Sequence, residues 1–277
     1  MKEILAVGGM ILAASAGWAE VVWTADGFDM PESAIVDTAR DRIILSVIGG
    51  HPGEADGDGR LALLSRDGAV LDPMWIAGLD APKGMAILGD TLLVADLTHV
   101  VEVDLATDTI IRRLEAPGAV FLNDITAHGG VAYICDLMTH TVWRYEGGEI
   151  SPWLEDRQLS YPNGLLVDGD RLLVGSWGAG LHDDFSTDVP GSLLEISLET
   201  QAIRVLAPEL GNIDGLARIG PSLFVSDWVS GDLFEISEDE TVSLVGNYGL
   251  GLADISAEGG MLFLPMMLDG RLVAQAF

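Results

Sequence analysis

Four oxygen-bearing side chains recur at one place in a repeated segment of the chain. Glu32, Asn123, Asn163 and Asp214 each stand second in a short opening sequence that precedes a turn and an apolar run. Carboxylate and amide oxygens suit a hard divalent cation, whereas zinc favours His and Cys. We therefore expect these four residues to bind a metal, preferably Ca²⁺, with Mg²⁺, Mn²⁺ or Zn²⁺ as alternatives. The simpler alternative is that each is only a turn or strand-start residue.

The two remaining repeats depart from this pattern. Lys83 holds the equivalent place in one of them and is the only lysine that follows Lys2. An ammonium group there could bind an acidic substrate, contact the carboxylate of Asp96 or repel the metal; the alternative is a lysine extended into solvent. In the last repeat Ala253 offers no ligand, and Asp254 comes one place later, where strand alternation turns it away from the others.

The spacing of the six openings indicates which elements position these residues. Their second residues are 51, 40, 40, 51 and 39 residues apart. Five of the openings lead through a glycine turn into a second apolar run, and the first leads there through a longer turn around Ala39-Arg40, as in β-hairpins. Several short strands within a period of about 40 to 50 residues are typical of propeller blades. The sequence therefore predicts an all-β, six-bladed β-propeller in which equivalent positions converge on the central axis.

The turns also predict the register of each hairpin. If each two-residue turn is the midpoint, the second residue of each opening faces the residue thirteen places later, or fifteen in the first repeat. The expected pairs are Glu32–Val47, Lys83–Asp96, Asn123–Asp136, Asn163–Ser176, Asp214–Asp227 and Ala253–Met266. The last repeat lacks a fourth strand after residues 271–273. We expect residues 21–23 to supply it, which closes the ring and removes the free sheet edges.

Other side chains near the ends of the second strands are candidates for the same region. Trp177 and Trp228 directly follow two of these strands and are expected to wall a pocket and bind substrate, with packing in the outer core as the alternative. Asp96, Asp136 and Asp227 end three second strands, where they could support the ligands or bond to turns.

The charge balance and the N-terminal sequence indicate which partners and which cellular location to expect. With 43 acidic and 14 basic residues, the net charge of −29 disfavours nucleic acid as a partner. The apolar stretch from Ile4 to Ala16 follows Lys2 and precedes Gly17-Trp18-Ala19, the pattern of a signal peptide over residues 1–19. We expect residues 20–277 to form one propeller domain, periplasmic or secreted and without a membrane segment after cleavage. The alternative, an uncleaved anchor, has a short apolar run for a membrane span.

With these repeats the sequence resembles the senescence-marker-protein/gluconolactonase family over nearly all of residues 20–277. The motifs that carry the resemblance are Pro31-Glu32-Ser33, Pro162-Asn163-Gly164 and Ile213-Asp214-Gly215. The resemblance implies a six-bladed propeller that holds a divalent metal in its central channel and hydrolyses lactones. It implies that Glu32, Asn163 and Asp214 bind the metal, and that Asn123 contacts metal, water or substrate.

These observations predict an exported, metal-dependent lactone hydrolase. The metal would polarise the ester carbonyl, and Asp214 would take a proton from the attacking water. Lys83 and Asn123 would orient a small-molecule substrate, for which the ammonium suggests an acidic lactone. The alternative is a non-catalytic propeller that binds a small ligand or a protein and uses the cation structurally.

Overall fold

The computed structural model describes residues 20–182 and 184–277. Regular structure in these ranges consists of strands and two short 3₁₀ helices, Arg157–Leu159 and Met267–Asp269. The expected signal peptide, residues 1–19, lies outside the described residues. In the described ranges, no helix has the length and apolar character that a bilayer span requires.

The strands form six antiparallel sheets, one for each repeat. In chain order they are β1 (Glu20–Asp26), β2 (Pro31–Asp37), β3 (Arg42–Val47), β4 (Gly59–Ser65), β5 (Val70–Leu79), β6 (Pro82–Leu88), β7 (Thr91–Asp96), β8 (His99–Asp104), β9 (Thr109–Glu115), β10 (Leu122–His128), β11 (Val131–Asp136), β12 (Thr141–Glu146), β13 (Glu149–Glu155), β14 (Pro162–Asp168), β15 (Arg171–Ser176), β16 (Gly178–Ala179), β17 (Val189–Ser197), β18 (Ile203–Gly211), β19 (Ile213–Ile219), β20 (Ser222–Asp227), β21 (Asp232–Ile236), β22 (Val242–Asn247), β23 (Ser256–Glu258), β24 (Met261–Met266) and β25 (Arg271–Ala276).

The sheets are the blades of a six-bladed β-propeller, as the repeat predicts. Blades 1 to 5 are β2–β5, β6–β9, β10–β13, β14–β18 and β19–β22, and blade 6 combines β23–β25 with β1. The inner hairpins of blades 2 to 6 turn over the expected two residues, as at Gly89-Asp90 and Gly129-Gly130, whose glycines adopt positive φ. The longer first turn lies between Asp37 and Arg42.

The N-terminal strand closes the ring, and the prediction of closure is confirmed. β1 pairs antiparallel with β25, but residues 271–273 face residues 24–26 and not residues 21–23. The register differs because β1 extends to Asp26, and a bulge near Val22 shifts its outer end. The Trp23 ring packs against Phe263 at 6.0 Å between centroids.

The second strand of each blade carries an unbroken apolar run because it is buried on both faces. In β24, Phe263 packs in the cluster that contains Leu45 of blade 1, while its neighbour Leu264 packs in the cluster that contains Phe224 of blade 5. Successive strand residues point to opposite faces of a sheet. Each blade is therefore bound to both of its neighbours by apolar packing.

Two insertions explain the longer spacings in blades 1 and 4. Residues 48–58 connect β3 to β4, and the described residues 177–182 and 184–188 lie between β15 and β17, whereas only residues 97–98 occupy the matching place in blade 2. Blades 1 and 4 face each other across a ring of six. Both insertions start where the inner strands begin, so they stand on the face that carries the candidate residues.

Candidate functional site

All six inner strands carry the same irregularity beside the axis. In blade 2, Pro82 faces Asp96 and Met85 faces Val94, so Lys83 and Gly84 together oppose a single residue. The same one-residue shift occurs at the corresponding place in the other blades. Such a β-bulge bends the strand and re-aims the side chains at that point.

Because of this β-bulge, the observed register of the inner strands differs from the register that the sequence predicts. The predicted pairing holds near each turn but is wrong by one residue at the strand start, where the first residue of each opening takes the place expected for the second. The observed partners are Pro31–Val47, Pro82–Asp96, Leu122–Asp136, Pro162–Ser176, Ile213–Asp227 and Leu252–Met266. The second residues are consequently freed from regular pairing.

A cavity on the axis brings the candidate residues together. Glu32, Lys83, Asn123, Asn163 and Asp214 all line it, and each is buried. The cavity holds about 730 Å³, a volume that includes its open mouth. Equivalent residues of five repeats therefore lie at one cavity, as the propeller geometry predicts.

Three acceptor oxygens at this cavity have no hydrogen-bond partner among the described residues. They are Glu32 Oε2, Asn123 Oδ1 and Asn163 Oδ1, and all three are buried. Asn163 Nδ2 donates to Asp214 Oδ1 at 3.0 Å, which holds the amide with its own oxygen free. Buried polar atoms are nearly always paired in proteins, so this set fits an oxygen-seeking cation.

The pKa shifts of Glu32 and Asp214 also favour a bound cation at this cavity. Burial, and then repulsion from Asp214, raise the pKa of Glu32 well above its ordinary value. Burial, and then repulsion from Asp124, raise the pKa of Asp214 to about 8. These carboxyl groups hold negative charge poorly because they are buried beside other carboxyl groups, and a bound cation would favour their ionised forms.

The candidate ligands combine two carboxylate side chains with two amide side chains. In the part of the chain that the structure describes, no three His, Cys, Asp or Glu side chains are arranged to hold a metal ion. A cation here would therefore need the amide oxygens of Asn123 and Asn163 in addition to the carboxylates of Glu32 and Asp214. Such an all-oxygen set is typical of Ca²⁺ sites.

Lys83 is buried at the cavity wall, which corrects the alternative of a solvent-extended side chain. Its Nζ donates to the carbonyl oxygens of Pro52 at 3.0 Å and Ala81 at 2.9 Å, and lies 4.3 Å from the centre of the Phe121 ring. Burial lowers the pKa of Lys83 to about 8, against the opposing effect of Glu32 and other carboxylates. The blade 1 insertion therefore anchors this ammonium.

The expected contact between Lys83 and Asp96 does not form. Asp96 accepts hydrogen bonds from the backbone N–H groups of Asp80 and Ala81 and from Arg113. The bulge moves Lys83 out of register with Asp96 and explains the difference. Asp136 and Asp227 likewise accept bonds from nearby backbone N–H groups, which confirms the turn-bonding alternative for these residues.

The third residues of the openings form a layer next to the ligands, which the sequence did not predict. Asp254 accepts a hydrogen bond from Ser33 of blade 1, and Asp124 accepts one from the backbone of Leu165 in blade 4. The bulge breaks the alternation that would turn Asp254 away, and burial with repulsion from Asp124 and Glu32 raises the pKa of Asp254. These two carboxyl groups link neighbouring blades.

Trp177 and Trp228 both line the cavity, with ring centroids 6.0 Å apart. Trp177 Nε1 donates to the carbonyl of Phe185 at 2.8 Å, which fixes the ring against the blade 4 insertion. Trp177 is also buried in an apolar cluster at this end of the channel. Trp177 therefore both lines the cavity and packs in the apolar cluster.

The sequence-based prediction omits several cavity residues, although their shared place in the repeat, directly after a second strand, indicates them. Ile48, Leu137 and Met267 line the cavity and follow the second strands of blades 1, 3 and 6, as the two tryptophans do in blades 4 and 5. Phe185 comes from the blade 4 insertion and Phe121 from the residue before β10. Only the long spacing of blade 4 hinted at such a contribution.

Comparison with known proteins supports the fold. The chain matches no family model and no curated protein. It is similar to a catalytically inactive virginiamycin B lyase from Staphylococcus aureus solved with quinupristin (TM-score 0.63, 13% identity, 92% of this chain and 98% of that one). A streptogramin B lyase (TM-score 0.61, 12% identity) covers 94% of this chain and 99% of its own. A chain of a nidogen/laminin complex has a TM-score of 0.59, 10% identity and coverage of 84% and 83%.

Proposed function

We propose that the protein is an exported, divalent-metal-dependent hydrolase that opens lactones, as its resemblance to the senescence-marker-protein/gluconolactonase family implies. The observation that carries the proposal is the set of buried acceptors Glu32 Oε2, Asn123 Oδ1 and Asn163 Oδ1 beside Asp214, which have no hydrogen-bond partner among the described residues. Each unsatisfied buried acceptor costs about 1–3 kcal/mol. Three of them at one cavity support a bound cation.

The candidate ligands are Glu32, Asn123, Asn163 and Asp214, and their oxygen chemistry favours Ca²⁺. When bound, a cation of this kind supplies Lewis-acid polarisation of an ester carbonyl. The positive charge would also keep Glu32 and Asp214 ionised against the raised pKa values that burial causes.

The side chains of the protein supply the proton transfers and the orientation. Asp214 accepts a proton from water as the water oxygen bonds to the lactone carbonyl carbon. The same proton then passes to the ring oxygen as the C–O bond breaks, which gives a hydroxy acid. Asn163 Nδ2 holds Asp214 Oδ1 in place during both transfers. Lys83 donates two of its three N–H bonds to backbone carbonyls and keeps one for a substrate oxygen.

The decisive experiment combines metal analysis with a substrate panel. Purified protein should contain a divalent cation, and chelator followed by Ca²⁺ should abolish and then restore turnover of simple lactones. Glu32→Gln and Asp214→Asn should weaken calorimetric Ca²⁺ binding and remove activity. Glu102→Gln is the matched control, because Glu102 is also buried but bonds to Arg112 and Tyr145 away from the axis.

Two outcomes of that experiment would redirect the proposal. Metal binding without turnover of any lactone or phosphotriester would favour the non-catalytic propeller with a structural cation. Activity that survives complete removal of metal would contradict the metal-dependent mechanism. Export is tested separately by mass spectrometry of the native protein, for which we expect a mature chain that begins at Glu20.

A further inference from the structure

The walls of the axial cavity differ sharply from its acidic floor. Above the candidate ligands the lining is mainly aliphatic and aromatic, with Phe121, Phe185 and Trp228 beside Ile48, Leu137 and Met267. Among the described residues of the lining, Asp184 is the one charged side chain outside the inner strands. The Phe121 and Phe185 rings are 6.3 Å apart and join the blade 3 side of the wall to the blade 4 insertion.

The apolar surface continues from the wall to the rim. Leu268 lines the cavity and is still 51% exposed, and Leu250 is 52% exposed. The backbone joins these segments, since Gly251 N–H donates to the Trp228 carbonyl and Met267 N–H donates to the Gly251 carbonyl. Val120, next to Phe121, is exposed as well. On a chain of net charge −29, an apolar mouth is the place where an uncharged, apolar ligand would enter.

We propose that the substrate is a lactone that carries an apolar alkyl or aryl group. The ester lies over the floor, and the apolar group runs along Phe121, Phe185 and Trp228 towards Leu268. The ester part of this statement rests on the proposed function, whereas the apolar part rests on the wall and the rim.

The same surfaces disfavour two other lactone classes. A sugar lactone would place hydroxyl groups against apolar walls, where each unpaired hydroxyl loses its bonds to water. An anionic lactone would approach a strongly negative protein, and Lys83 has a single N–H bond left for it. We therefore expect apolar lactones to be preferred over the acidic lactone that Lys83 alone suggests.

The test varies the apolar group at constant ring size. Hydrolysis by the Ca²⁺-loaded protein is measured for δ-valerolactone, δ-octanolactone, δ-decalactone and glucono-δ-lactone. Binding of the matching unhydrolysed lactams is followed separately by quenching of tryptophan fluorescence, with Trp177→Phe and Trp228→Phe to assign the change. We expect the lactam Kd to fall by about fourfold for each methylene that reaches the wall. Glucono-δ-lactone should be the poorest substrate of the series.

A pair of leucine variants controls for general loss of apolar surface. Leu268→Ser removes the rim contact and should weaken binding of the decalactone analogue by about tenfold, with little effect on the valerolactone analogue. Leu71→Ser removes a side chain that is 60% exposed on β5, away from the cavity lining, and should leave both unchanged.

The outcomes separate this inference from the proposed reaction. Chain-length-dependent lactam binding without hydrolysis of any lactone supports the apolar ligand and overturns the hydrolase. Metal-dependent hydrolysis that is independent of chain length, or is best for glucono-δ-lactone, supports the hydrolase and overturns the apolar substrate.

Discussion

Asn163 and Asp214, which lie 51 residues apart, are joined by a hydrogen bond of 3.0 Å from Nδ2 to Oδ1. The bond lowers the pKa of Asp214 against the larger effect of burial. It also leaves Asn163 Oδ1 unpartnered among the described residues. One amide therefore orients the candidate base and presents an oxygen to the candidate cation.

Replacement of Asn163 should affect both roles. Asn163→Ala removes one candidate metal ligand and one stabilising bond to the Asp214 carboxylate, so Ca²⁺ affinity should fall by at least about tenfold. The acid limb of the pH–rate profile should also move to higher pH. Calorimetry and pH-dependent kinetics measure the two effects. Asn247→Ala, which alters an exposed amide bonded to Asp232, should change neither.

The buried carboxyl groups should make the metal-free protein less stable as the pH rises. Burial raises the pKa of Asp214 to about 8 and that of Asp124 to about 7, from an ordinary 3.8. The native state therefore keeps protons that the unfolded chain has lost, and stability falls from pH about 4 to about 8. Each retained proton contributes a slope of about 1.4 kcal/mol per pH unit.

Thermal unfolding in chelator, measured across this range, checks the prediction. Asp214→Asn should flatten the fall, whereas Asp67→Asn, which removes an exposed carboxyl, should not. Ca²⁺ should raise the Tm more at about pH 8 than at about pH 5, because its ligands must be ionised. A Tm that rises with pH in chelator would contradict the raised pKa values.

We expect Cys135 to tolerate replacement by serine but not by alanine. Its Sγ accepts a hydrogen bond from the bulge N–H of Asp124 at 3.2 Å, and Ser46 and Ser226 do the same in blades 1 and 5. Cys135→Ser should therefore retain stability. Cys135→Ala leaves the buried N–H unpaired, at a cost of about 1–3 kcal/mol. Equal urea midpoints for the two variants would contradict this role.

Ring closure should depend on one face of β1. Trp23 packs on Phe263 and donates through Nε1 to the Arg66 carbonyl, whereas Val22 is 52% exposed. Trp23→Ala should lower the free energy of unfolding by about 2–4 kcal/mol. Val22→Ala should lower it by less than about 0.5 kcal/mol. Similar losses from both variants, in denaturant titrations, would argue that closure does not rest on the Trp23 contact.

Removal of the Lys83 charge should tighten metal binding. The ammonium lowers the pKa values of Glu32 and Asp214, so it interacts with the same carboxylates that would hold the cation. At a pH at which both carboxylates are ionised, Lys83→Met should raise Ca²⁺ affinity by about tenfold while it slows turnover. Arg113→Met, which removes an outer charge bonded to Asp96, is the control. Unchanged affinity would identify Lys83 as an anchor for residues 48–58 only.

The amino-acid sequence by itself determined the architecture and the identity of the converging residues. Repeat spacing, glycine turns and apolar runs are local patterns, and each blade must bury both faces of its second strand to be stable. The six openings, the ring closure by the N-terminal strand and the approach of Glu32, Asn163 and Asp214 to one axis could therefore be predicted.

Tertiary structure alone decided how these residues are held. A bulge shifts each opening by one residue, which separates Lys83 from Asp96 and turns Asp254 towards Ser33. The buried ammonium takes one of its two carbonyl partners from Pro52, which lies on an insertion of another blade. Such partners are distant in sequence and depend on backbone irregularities that have no fixed residue pattern, so only the assembled ring determines them.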